Sequence, residues 1–148
     1  MPSGSCSSVA ELPDEQRDLL SEARRGAMAT IGEDGRPHVV PVVFAIRGDE
    51  IVSAIDHKPK RGVVMARVRN LARDPSVTLM IDRWDEDWDR LAWAMIRGRA
   101  EVVEQDPEGA RLLVERYPQY RDPRYGETPP FDAFIVISPI DILWWTYS

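Results

Sequence analysis

The stretch His57-Lys58-Pro59-Lys60-Arg61 contains both lysines of the 148-residue chain, two positions apart. From His57 to Arg73 there are six Lys or Arg residues and no acid, so this segment carries +6 while the whole chain carries −6. The remainder therefore carries −12. A tight cation cluster in an acidic protein is the pattern of a local anion site rather than of a polyanion-binding surface. Val64, Val68 and Leu71 follow at helical spacing, which puts Lys60 and Arg61 at a helix entry. The helix dipole disfavours cations there by roughly 0.3–1 kcal/mol, so an anion at the same place would explain them. Helix-terminal N–H groups with several ammonium or guanidinium groups make a phosphate site. The same helix places Arg67 on the margin of its apolar face, in line with Lys60, and turns Arg69 and Arg73 toward solvent. His57 could bond a phosphate or a ring carbonyl. The predicted clamp is therefore His57, Lys58, Lys60, Arg61 and Arg67; a solvated basic patch is the plain alternative.

Other constellations are weaker. Asp82-Arg83-Trp84-Asp85-Glu86-Asp87-Trp88-Asp89-Arg90 has five carboxylates in nine residues, but lacks the spacing and distal Glu of a calcium loop. Its two tryptophans must pack on a partner, a ligand or another subunit, or the loop must fold back over its own barrel. His38 and His57 have no partner at metal-ligand spacing, so no metal site is assigned. No nucleophile elbow is present. The catalytic group is left unassigned, with His57 and Arg90 the candidate proton donors, and the hard chemistry is expected of a cofactor.

These residues must be positioned by short elements. Leu12-Pro13-Asp14 opens a helix that Arg24-Arg25-Gly26 should close, cations preceding a terminal glycine. Ala27–Gly32, Pro37–Ile46 and Ile51–Ile55 read as three strands of a meander, with a hairpin signal at Asp34-Gly35. The helix after Arg61 ends at Asp74-Pro75. Ser76–Asp82 and Leu91–Val103 are strands, Pro107–Tyr117 a helix, and Phe131–Ile137 a last buried strand before Pro139 and an aromatic tail. Six antiparallel strands with peripheral helices give a mainly β, α+β barrel; the alternation and glycine turn of a dinucleotide fold are missing.

Composition agrees with one globular domain over 11–148, preceded by a Ser/Gly-rich segment over 1–10 expected to be disordered. The lone Cys6 sits in that segment without a group to activate it. The acidic balance argues against nucleic acid and anionic membrane as partners. No apolar run approaches the ~18–20 residues of a membrane span and no secretory leader is recognised, so a cytoplasmic location is expected.

Several strings in order, MATIGEDGRPHVVPVVF, IVSAIDHKPKRG, RVRNLARDPSVTLMID, DEDWDRLAWAMIRGRAEV and LLVERYPQY, resemble the pyridoxamine 5′-phosphate oxidase-like split-barrel proteins, in the branch that uses coenzyme F420. The resemblance runs from about Ala27 to the C-terminus. It implies a six-stranded antiparallel split β-barrel of the FMN-binding type, and a homodimer with cofactors between subunits. The deazaflavin ring would rest on the strand His38–Phe44, including Pro41, Val42 and Val43, met mainly by backbone. The phosphate-bearing tail would meet Lys58, Lys60, Arg61 and Arg67. Trp88, Asp89 and Arg90 match a position that approaches the cofactor from the partner subunit. The aromatic tail ILWWTYS departs from the family pattern, which leaves Trp144 and Trp145 to the cofactor or to the dimer interface. The implied activity is F420-dependent reduction of a small conjugated acceptor. The alternatives are a non-enzymatic carrier of flavin, F420 or haem, and an FMN-dependent pyridoxamine phosphate oxidase.

Overall fold

A computed structural model describes residues 3–56, 65–125 and 130–147. His57, Lys58, Lys60 and Arg61 of the expected clamp lie outside the described residues. The described residues form eight strands and three α-helices in one antiparallel sheet.

Helix α1 (Asp14–Glu22) is followed by β2 (Gly26–Ile31), β3 (Pro37–Val42), β4 (Ala45–Arg47) and β5 (Glu50–Asp56); β1 (Ser3–Cys6) precedes them. Helix α2 (Ala66–Arg73) leads to β6 (Ser76–Arg83) and β7 (Ala92–Val103). Helix α3 (Pro107–Arg116) and the long β8 (Phe131–Thr146) complete the chain. The strand order is β3-β2-β6-β7-β8-β5-β4, with β1 added to β8. The sheet therefore opens between β3 and β4, which are consecutive in sequence, and this is the split of a split barrel. The six expected strands are all present; β1 and β4 are the two additions.

Alternation supplies the core. Met28, Leu79, Ile81, Ala94, Ile96 and Ile142 face inward and are fully buried. Helix α3 closes a second apolar cluster, with Leu113 and Tyr117 against Val52, Ala54 and Phe134. Asp106 starts that helix by accepting the Gly109 N–H (2.9 Å) and pairs with Arg47 (2.6 Å).

Four expectations change. Ser3–Cys6, expected to be disordered, is a strand because the second half of β8 offers it a free edge: Gly4 pairs with Trp144 and Cys6 with Ile142. Gly26 does not end α1. It begins β2, packed so closely that a Cβ would lie 2.8 Å from Leu79. The α1 carbonyls are met instead by Arg116 of α3, which donates to Leu20 (3.0 Å), Ser21 (3.1 Å) and Ala23. Pro37–Ile46 is two strands, not one, because the chain breaks at Val43-Phe44 to bury the Phe44 ring. Finally, β8 runs through Pro139 to Thr146. The ladder shifts register beside Gly98, opposite Pro139, and an irregularity of this kind accommodates a proline without an N–H.

Candidate functional site

The root of the basic turn is described on both sides. On one side β5 ends at Asp56; on the other, α2 begins at Ala66 with Met65 extended before it. Helix α2 thus starts at Ala66, and the expected alignment of Lys60 with Arg67 lies outside the described residues. Arg67 itself, in the first turn of α2, is half-buried. Its Nε is buried and has no hydrogen-bond partner among the described residues. Burial lowers the guanidinium pKa, and the Asp56 carboxylate acts in the opposite sense.

Asp56 is itself anchored. The Tyr120 hydroxyl donates to Asp56 Oδ1 at 3.0 Å. Burial pushes the Tyr120 pKa up, and the Asp56 charge and hydrogen bond add to it. Tyr120 sits on the 3₁₀ turn Pro118–Arg121, edge-on to Phe131 with ring centroids 4.7 Å apart. Asp56 and Tyr120 were not singled out from sequence. Their only signal was membership of the strings DHKPKR and RYPQY, since the two residues are 64 positions apart.

Arg69 and Arg73 do not simply project into solvent. With Arg36, Pro37, His38 and Asn70 they line a groove of about 680 Å³ between α2 and the β2–β3 turn. Arg73 donates to the Ile31 carbonyl (2.5 Å), and Asn70 donates to Thr30 Oγ1 (3.0 Å). His38 points inward beneath this helix, with Nδ1 buried and unpartnered among the described residues.

Strand β3 forms the lip of the split. Asp34-Gly35 makes the expected turn, with Gly35 at φ +80°. Gly32 N–H donates to the Arg36 carbonyl at 2.8 Å, which fixes the phase of the hairpin. Bonded pairs recur every second residue in an antiparallel ladder, so His38, Val40 and Val42 bond β2 through Thr30, Met28 and Gly26. Pro37, Val39 and Pro41 direct their backbone groups away from β2, toward the open edge. Val42 is in the core and Pro41 is exposed. The Val43 carbonyl accepts the Ser53 hydroxyl at 2.7 Å. The Tyr117 hydroxyl accepts the Phe44 N–H at 3.2 Å and lies 3.1 Å from the Phe44 carbonyl, so the β3–β4 break is held from behind.

The loop after β6 does not fold back over its own barrel: Trp84 is 65% and Trp88 58% exposed. Its acids serve the loop itself. Asp85 accepts the Asp87 N–H (2.8 Å), Asp87 the Asp89 N–H (3.1 Å), and Arg90 pairs with Asp85 (3.1 Å). Beside it, the outward face of the sheet is apolar where a solvated antiparallel face would be polar. Met80, Met95 and Leu143 align across β6, β7 and β8, and Asp82, Trp93 and Trp145 form the next row. Trp145 stands edge-on to Tyr147 at 6.2 Å. Trp144 points the other way. It packs against the core and so tightly on β1 that a Cβ at Gly4 would lie 2.7 Å from the indole. Among the described residues, no helix is long and apolar enough to cross a membrane.

The arrangement can hold an anion at Arg67 beside the basic turn, offer backbone groups from β3, and present aromatic groups to a second molecule. Comparison with known proteins agrees with this geometry at the level of fold. A conserved hypothetical protein from Mycobacterium tuberculosis superposes with a TM-score of 0.71 at 24% identity, covering 96% of this chain and 88% of that one. A protein described as an F420 reductase is 26% identical, with a TM-score of 0.64 over 88% of this chain and 98% of that one. The haem storage protein of Vibrio cholerae matches at 18% identity and a TM-score of 0.68, over 91% and 94% of the two chains. No curated protein matches the sequence. The profile described as Pyridoxamine 5′-phosphate oxidase matches residues 12–145, and the chain belongs to that family of split barrels.

Proposed function

We propose that this protein binds a phosphate-bearing flavin-type cofactor, coenzyme F420 before FMN, and acts as an F420-dependent reductase of a small conjugated acceptor. The observation that carries the reading is Arg67. A guanidinium half-buried with an unpartnered Nε is unfavourable unless something anionic completes it. It stands next to Asp56, the residue from which the turn His57-Lys58-Pro59-Lys60-Arg61 departs. A phosphate group, whose several oxygens can accept from more than one cation, fits that set better than a single carboxylate, because four Lys or Arg residues flank one acid in the sequence.

In this reading Lys58, Lys60, Arg61 and Arg67 hold the phosphate, with His57 beside them. Asp56, fixed by Tyr120, keeps the Arg67 guanidinium from drifting to solvent. The lip of β3, at Pro41, Val42 and Val43, carries the ring. When bound, the reduced deazaflavin supplies a hydride to the acceptor. The chain's part is to orient ring and acceptor and to exclude water. The outer sheet face around Met80, Met95, Leu143, Trp93 and Trp145 joins two copies, and Trp88, Asp89 and Arg90 of one copy close over the cofactor of the other.

Fluorescence titration with F420 and with FMN, followed by turnover of reduced F420 with a panel of conjugated acceptors, tests the reading. Binding of F420 more tightly than FMN, with turnover of at least one acceptor, is expected. Binding without turnover of any acceptor would favour a carrier, and absence of binding would refute the reading.

A further inference from the structure

One acid stands at the root of the basic turn. Asp56 ends β5, and from there to Arg67 the sequence holds four Lys or Arg residues and no second acid. A site shaped only to attract phosphate would omit that carboxylate, because its charge repels any anion the guanidinium draws in. The chain instead fixes it in place. The β5–β8 ladder shifts register between Ile55 and Asp56, an irregularity of the kind that re-aims a side chain. The Tyr120 hydroxyl then donates to Asp56 Oδ1 at 3.0 Å, and the Tyr120 ring stands edge-on to both Tyr117 and Phe131. Burial and the Asp56 charge both hold the Tyr120 proton, so the hydroxyl stays a donor.

We propose that Asp56 is a specificity-determining residue of this site: it turns the site toward a singly charged phosphodiester and away from a doubly charged phosphomonoester. This rests on the cofactor reading above and names the class of phosphate that the cofactor carries.

Repulsion from a fixed carboxylate grows in proportion to the charge of the ligand. A terminal phosphate has its second pKa near about 6, so above neutral pH it carries two charges, whereas a diester carries one. Asp56 therefore disfavours a monoester about twice as strongly as a diester. The described cation beside it does not offset the difference, because Arg67 and Asp56 together carry no net charge. What Arg67 offers is directional, a buried Nε–H without a partner among the described residues. One phosphate oxygen satisfies that donor, and a diester keeps two oxygens available for it. The second charge of a monoester is not needed for the bond and meets Asp56. A purely positioning role for Asp56, in which it only places Arg67, makes a different prediction: its loss would weaken both classes of phosphate alike.

The test holds the ring constant and changes only the phosphate. FMN is a monoester; its phosphate methyl ester has the same ring and ribityl chain with one charge fewer. Fluorescence titration of the full chain at about pH 8, where a monoester is fully ionised, should find the methyl ester bound at least as tightly as FMN. Asp56→Asn keeps an acceptor for Tyr120 and removes the charge, so the affinity ratio should move about fivefold or more in favour of FMN. Asp56→Glu restores the charge and should return the ratio toward that of the wild type. Tighter binding of FMN than of its methyl ester by the wild type would overturn the proposal, and this comparison decides even where Asp56→Asn fails to fold. An unchanged ratio in Asp56→Asn would overturn it as well, and either result leaves the cofactor reading intact. If neither ester nor F420 binds, both fall together.

Discussion

Replacing Arg67 with methionine keeps an unbranched stem at this half-buried position of α2 and removes the guanidinium. The folded protein should barely notice. The Nε makes no hydrogen bond within the described residues, and Asp56 retains the Tyr120 hydroxyl at 3.0 Å. Loss of the attraction to Asp56 and relief of guanidinium burial oppose each other, so the change in stability should stay within about 1 kcal/mol. Binding is another matter. A hydrogen bond between a cation and a phosphate contributes about 1.5–3 kcal/mol, which is roughly a 10- to 150-fold loss of affinity. The effect must follow the phosphate and not the ring. FMN and F420 should weaken by that factor, whereas riboflavin, which has the ring without the phosphate, should bind as before. Parallel titrations of wild type and R67M with FMN and riboflavin, with urea unfolding of both proteins, decide the matter. An unchanged FMN affinity would refute the clamp, and an equal loss for riboflavin would mean that Arg67 supports the fold of the site rather than the phosphate.

Three further outcomes follow from the geometry. The Tyr120 pKa is raised in the folded state above its ordinary 10.0, so the proton it keeps stabilises the fold fully below pH 10 and less as pH climbs past that value. Alkaline unfolding of Tyr120→Phe should therefore have a shallower pH dependence above pH 10 than that of the wild type, and identical curves would deny the coupling. A Cβ at Gly98 would lie 2.2 Å from the Ser138 carbonyl oxygen, backbone against backbone. Gly98→Ala should cost about 1–3 kcal/mol or more in chemical denaturation, since neither strand can yield alone. Met95 lies at the centre of the apolar outer row, between Met80 and Leu143. Met95→Asp should turn a dimer into a monomer by analytical ultracentrifugation with its circular dichroism spectrum unchanged; a monomeric wild type would remove the interface reading.

What was legible in the sequence was local. Period-two alternation gives β6 and the start of β7, and the turn at Asp34-Gly35 follows from a glycine that can adopt positive φ. Helix α2 follows from Val68 and Leu71 at its apolar face. The charge anomaly between His57 and Arg73 needs no coordinates at all. The family strings likewise depend only on residue order.

The tertiary structure decided everything that depends on residues far apart in the chain. Arg116 caps α1 from 93 positions away at Ala23, so the cations written beside that helix were not its cap. Tyr120 reaches Asp56 across 64 positions, and no periodicity encodes such a meeting. Ser3–Cys6 is a strand only because β8 is long enough to offer it an edge. The two tryptophans of the tail part company because neighbours on a strand face opposite sides, and only the sheet's position shows that Trp144 is inside and Trp145 out. The clamp began as a cluster of charges in sequence. Folding added a half-buried Arg67 with a polar atom left to satisfy, the observation on which the proposal of an anion there rests.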